Sequence, residues 1–181
     1  MKTTSQHDKS FTLIELLIVV AIIGILAALI IVSVNSAAAK ARDAKRVEDL
    51  RNIQKALALY YTTNGSYPST SGGWWGNCPG GGSHPVSGSN GYVPNLAPTY
   101  IPSLPLDPRQ GINGVTTDTG NCPGGANASF IWACYLYQSN GVDYKIEANC
   151  TPESYPANNP FLDPPHPAAE WAIYTPGAAN W

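Results

Sequence analysis

Three hydrophobic patterns follow one another along the chain. Ten mostly polar residues come first, and from Leu16 to Val34 there are then 19 positions without a charge. As a helix this run is about 28 Å long, close to the thickness of a bilayer's hydrocarbon core. It is too long for the core of an ordinary signal peptide and predicts a membrane anchor. Lys2 and Lys9 bias the short leader to the cytoplasmic side and send the rest outward. Glu15 stands at the edge of the run, where a carboxylate at depth is costly unless paired or protonated. Two readings of it stand level: a solvated interfacial residue, or a carboxylate awaiting a cation from another chain.

The second pattern is amphipathic. Residues 35–62 are rich in alanine, and neither Pro nor Gly occurs from Ile25 to Asn64, so the helix is expected to continue. Val47, Leu50, Ile53, Leu57 and Tyr60 recur at three- and four-residue steps and form one apolar stripe. Lys45 with Asp49, and Glu48 with Arg51, are placed to pair along the outer faces. Asn64-Gly65 ends the helix, and Pro68 stops a restart.

Beyond Gly65 the period shifts towards two. Val142–Cys150 alternates apolar and polar, as do Phe130, Trp132, Cys134 and Leu136 before the turn at Ser139-Asn140-Gly141. A three-residue loop with Gly141 left-handed places Cys134 and Leu136 on one face with Tyr144, Ile146 and Ala148. That face is expected to pack on the stem. The tail from Pro152 to Trp181, rich in Pro and aromatics, is expected to wrap the head as an ordered coil. The class is therefore α+β: a long amino-terminal helix on a small, loop-rich antiparallel sheet. The divisions are a leader over 1–10, an anchor over 11–34, a stem over 35–64 and a head over 65–181.

Charge sharpens this division. Lys40–Lys55 carries six basic residues against three acids, whereas Gly65–Trp181 has Arg109 and Lys145 against seven acids. Because the stem's basic residues are interleaved with acids, no nucleic-acid surface is expected. All four cysteines, Cys78, Cys122, Cys134 and Cys150, lie in the head, and their even number beyond an anchor predicts two disulfides. Three connectivities are open. Gly-Asn-Cys-Pro-Gly-Gly occurs twice, at 76–81 and 120–125, and this repeat favours Cys78–Cys122 with Cys134–Cys150. No catalytic set is apparent, so no enzyme is expected. No cofactor or metal is expected either. Asp107, Asp118, Asp143 and Asp163 are too dispersed for a calcium cage, the three histidines are scattered, and no close Cys pair suits zinc.

Ser10-Phe11-Thr12-Leu13-Ile14-Glu15, with the apolar run to Ala28, resembles the class III signal and anchor of type IV prepilins and type II secretion pseudopilins. Residues 35–46 and 59–68 are also similar to pilin-like proteins of type II secretion. Pro102–Pro108 resembles the Pro-x-Asp-Pro segment of major pseudopilins. The resemblance implies cleavage by a prepilin peptidase between Ser10 and Phe11, methylation of the Phe11 amine, and Glu15 as the assembly carboxylate that pairs with a neighbour's amino terminus. One departure stands out: the family usually has Gly where this chain has Ser10. A class member is a structural subunit of a helical filament, a pilus or a secretion pseudopilus. Its partners are further copies, minor pilins, the inner-membrane assembly platform and membrane lipid. Before assembly it sits in the inner membrane with its head extracytoplasmic. The alternatives from other classes are an uncleaved, single-pass anchored binding protein and an adhesin-like minor pilin.

Overall fold

The computed structural model describes residues 12–78, 81–110, 133–149, 152–154, 156–167 and 170–181, and the side chains of 27–33 also lie outside that description. The chain divides into two compact units, one up to Ala39 and the other from Lys40 to Trp181. Helix α1 covers Leu13–Asn64. It ends where expected: Gly65 takes φ +72° and donates its amide to Tyr61 O at 2.8 Å, the left-handed closure that glycine adopts without a Cβ penalty.

In the second unit the stem lies on a four-stranded antiparallel sheet of order β1-β2-β3-β4. The strands are β1 (Trp75–Gly76), β2 (Cys134–Ser139), β3 (Tyr144–Asn149) and β4 (Glu170–Tyr174). Leu50, Ile53 and Leu57 of the stripe are fully buried against Tyr135, Tyr137, Ile146, Ala148, Trp171 and Ile173. Each buried aliphatic side chain contributes about 1.5–3 kcal/mol. The loops between β1 and Gln110 add Tyr92, Val93, Leu96 and Leu104 to the same core. Lys45 meets Asp49 at 2.9 Å as expected, but Asp49 is buried rather than on an outer face. Glu48 instead turns to Lys45 at 3.3 Å, and Arg51 lies over the Phe161 ring at 5.2 Å.

The hairpin differs from the expected register. Ser139 pairs with Tyr144, so the loop holds four residues rather than three. Asn140 Oδ1 accepts the amides of Val142 and Asp143, and Ser139 Oγ accepts that of Gly141. These bonds satisfy the extra residue locally. The odd shift moves the row facing the stem from Cys134 and Leu136 to Tyr135 and Tyr137, which oppose Ala148 and Ile146. Their hydroxyls reach polar partners that cysteine and leucine could not use: Tyr135 donates to Asp49 at 3.0 Å, and Tyr137 to Pro68 O at 2.9 Å. Burial, then Asp49, pushes the Tyr135 hydroxyl far above its ordinary pKa, so it remains a donor.

The tail also departs from expectation. Residues 170–174 form a strand, β4, which pairs with β3 from Lys145↔Tyr174 to Asn149↔Glu170. Consequently β3 is buried on both faces, and its polar row of Lys145, Glu147 and Asn149 is enclosed.

Candidate functional site

Helix α1 begins with a reciprocal cap. Glu15 Oε2 accepts from Thr12 N at 2.9 Å and from Thr12 Oγ1 at 2.8 Å, while Glu15 N donates to Thr12 Oγ1 at 3.2 Å. This is a capping box, in which residues three apart satisfy amides that the first helical turn leaves free. The pattern Thr12-x-x-Glu15 could have been read from the sequence, and it gives Glu15 a role that neither sequence reading included. Both bonds use Oε2, and a carboxylate has about four acceptor positions. Oε1 can therefore still receive a cation while the cap is intact. Ser10 and Phe11, the expected cleavage pair, lie outside the described residues.

Apolar side chains then stand exposed all around the helix. Leu16 is 58% exposed, Leu17 58%, Ile18 52% and Val19 44%. Consecutive residues stand about 100° apart around the axis, so these four cover every face and no single stripe accounts for them. Among the described residues no helix is long and apolar enough to cross a membrane. The expected anchor of 11–34 includes residue 11 and the side chains of 27–33, which lie outside that description.

Where the stem meets the head, the second unit has a buried ionic clamp. Arg46, fully buried, donates Nε to Asp107 Oδ2 at 2.8 Å, Nη2 to Asp107 Oδ1 at 3.1 Å and Nη1 to Asp43 Oδ1 at 2.9 Å. Arg42 grips Glu153 through two bonds of 2.5 and 2.6 Å, and Asp43 also accepts from Glu153 N and Ser154 Oγ. Desolvation alone would lower Arg46, but the Asp107 and Asp43 carboxylates outweigh it and hold the guanidinium above its ordinary value. The Arg42 hydrogen bonds hold Glu153 below the usual carboxylate value. Asp107 belongs to the Pro-x-Asp-Pro segment, so that loop is held to the helix by charge. The signal was present in the sequence: Arg46 and Asp43 continue the phase of Leu50, Ile53 and Leu57 by steps of four and three. They are charged residues on the core-facing stripe.

The cysteine pairing differs from the expected one. Cys78 is joined to Cys134, with Cα atoms 6.1 Å apart. The register explains this: Cys134 occupies the face away from the stem, and β1 lies antiparallel beside β2 there, with Gly76 opposite Leu136. The bridge packs with Leu136 and Trp74 in a small cluster of its own. Cys122 and Cys150 lie outside the described residues.

Residues 5–31 match the family described as the prokaryotic N-terminal methylation motif. The chain is 33% identical over 105 residues to the type II secretion system core protein G of Aeromonas hydrophila, covering 57% of this chain and 68% of that protein. It is 41% identical over 68 residues to the same-named protein of Pseudomonas aeruginosa, covering 38% and 48%. With that of Pectobacterium carotovorum subsp. carotovorum it is 37% identical over 70 residues, covering 39% and 45%. Against the last two, the chain spans about half the length of the curated relatives it matches. No solved structure matches.

Proposed function

Because the chain belongs to the type II secretion system core protein G family, we propose that it is a structural subunit of a type IV pilus-like or secretion pseudopilus filament, assembled through its amino-terminal helix. The observation that carries this reading is the exposed apolar surface from Leu13 to Leu26, within the segment that matches the methylation motif. A helix apolar on every face requires lipid or other helices around it. In the membrane the surroundings are lipid and the assembly platform. In the filament they are the equivalent helices of further copies and minor pilins.

Prepilin peptidase removes residues 1–10 and the new Phe11 amine is methylated. Glu15 then pairs with the amine of a neighbour, because two charges in an apolar bundle each cost less together than apart. The head lies on the extracytoplasmic side, and the protein's role is structural rather than catalytic.

The test is the intact mass of the full chain co-expressed with a prepilin peptidase, followed by recovery of sheared filaments. Loss of residues 1–10 with one added methyl, together with filaments in the wild type, is the expected result. Glu15→Gln keeps an acceptor for the Thr12 cap while removing the charge. It should leave helicity unchanged and abolish filaments. An unprocessed Met1 end would overturn the proposal and favour the alternative of an uncleaved, single-pass anchored binding protein.

A further inference from the structure

The sheet face away from the stem encloses an amine and a carboxyl group that the assembly role does not use. Lys145 projects from β3, and Asp163 from the segment before β4. Both side chains are 0% exposed, and Lys145 Nζ lies 2.6 Å from Asp163 Oδ1. The backbone fixes both ends of this contact. Lys145 stands in the β3–β4 register opposite Tyr174. Leu162 bridges Trp171 of β4, Asp163 N donates to Glu170 O at 3.1 Å, and Ala172 N donates to Phe161 O at 2.7 Å.

The contact is close, yet it is not aligned as a hydrogen bond. Among the described residues Asp163 Oδ1 is buried and accepts no hydrogen bond, although Nζ stands 2.6 Å away. Nζ instead donates to Trp181 O at 2.8 Å. A pair kept for its attraction alone points its N–H bonds at the carboxylate. Here the nitrogen is pressed against the carboxyl group with a proton directed elsewhere. The other oxygen, Asp163 Oδ2, is 3.2 Å from His166 Nδ1.

The surroundings favour reaction over attraction. Burying two opposite ions is expensive, because each gives up its water. Condensation abolishes both charges, and a dry site excludes the water that would reverse it. Holding the two groups in contact corresponds to an effective concentration of about 10⁵–10⁸ M. An acid is also at hand, since Glu147 is buried and follows Lys145 on the same face of β3. Burial, then the neighbouring Glu170 carboxylate, holds Glu147 well above the usual carboxylate value, so it is a neutral proton donor.

We propose that Lys145 and Asp163 condense to an intramolecular amide that ties strand β3 covalently to the segment before β4. The ammonium first passes a proton to the carboxylate, which leaves a neutral amine and a carboxylic acid. The Nζ lone pair then attacks Asp163 Cγ and forms the C–N bond. Glu147 gives a proton to the departing oxygen and recovers one from Nζ. The Cγ–Oδ1 bond breaks, Oδ1 leaves as water, and Oδ2 remains as the amide oxygen facing His166. One ammonium and one carboxylate become one amide and one water, with no redox change and no co-reactant. The reaction depends on neither cleavage at Phe11 nor assembly, because all its groups lie in the head. Alternation along the sequence marks Lys145 and Glu147 only as the polar row of a strand.

The experiment uses the full chain, purified in detergent micelles, reduced and alkylated, and read by intact mass and peptide mapping. The wild type is expected to be lighter than its sequence requires by one water, about 18 Da. Its digest should contain a branched peptide that joins Lys145 to Asp163. Lys145→Arg keeps the cation but not the amine and should show no loss of water. Glu147→Gln should close about 10²–10⁴-fold more slowly and leave chain of full mass beside the closed form. The proposal is overturned if the wild type has its full sequence mass, if Lys145→Arg retains the loss, or if the branched peptide joins a different pair.

Discussion

Asp107→Ala tests the clamp between stem and head. The substitution removes both Asp107 bonds to Arg46, and also the 2.8 Å bond that Asp107 Oδ1 accepts from Arg109 N. Arg46 stays fully buried, with Asp43 at 2.9 Å and Glu153 at 3.5 Å as its remaining partners. Breaking a buried pair costs about 3–5 kcal/mol because a charge is left without compensation. The two surviving carboxylates place this case at about 3 kcal/mol, or a fall in midpoint temperature of about 6–12 °C for a chain of this size. All five tryptophans lie beyond Lys40, so fluorescence during denaturant unfolding in micelles reports on the unit that holds the clamp. The cycle is completed with Arg46→Met and with Arg46→Met/Asp107→Ala. If charge compensation is the source of the effect, the double variant should lose at least about 2 kcal/mol less than the sum of the single variants. A loss below about 1 kcal/mol for Asp107→Ala, or simple additivity in the cycle, would mean that Asp107 does not compensate the buried Arg46 charge.

Three further outcomes are expected. Non-reducing peptide mapping should recover a Cys78–Cys134 linkage, and Cys78→Ser should cost about 2–5 kcal/mol; a Cys78–Cys122 peptide would contradict the strand register. Because Glu153 is held below its ordinary value of 4.5 by Arg42, its contribution is present above that pH and lost as pH falls through the lower folded value. Glu153→Gln should therefore be less stable than wild type at neutral pH, by roughly 1 kcal/mol or less for a part-exposed pair. The difference should shrink in urea titrations below pH 4.5, and a gap that does not narrow with acid would count against the pairing. Leu57→Ala, in the core, should cost about 2–5 kcal/mol, whereas Leu59→Ala, at a position 58% exposed, should stay within about 0.5 kcal/mol; equal losses would mean that the stripe is misassigned.

The sequence by itself determined the linear features of this protein. The uncharged run, the stripe from Val47 to Tyr60, the helix stop at Gly65 and the hairpin around Gly141 all depend on local periodicity or on a conformational preference near the residue concerned. The Thr12–Glu15 cap and the core-phased Arg46 were also within its reach. The tertiary structure decided everything that depended on pairing parity or on convergence of distant segments. One extra residue in the hairpin loop exchanged the faces of β2, turning Tyr135 and Tyr137 to the stem and Cys134 to Cys78. Alternation cannot reveal this, since a tyrosine row and a cysteine–leucine row are both apolar enough to be buried. In the same way β4 converted the tail into the second cover of β3. It enclosed Lys145 and Glu147, which alternation had marked only as polar, and brought them beside Asp163, His166 and Glu170. Their chemistry exists only because the sheet brings these residues to one place.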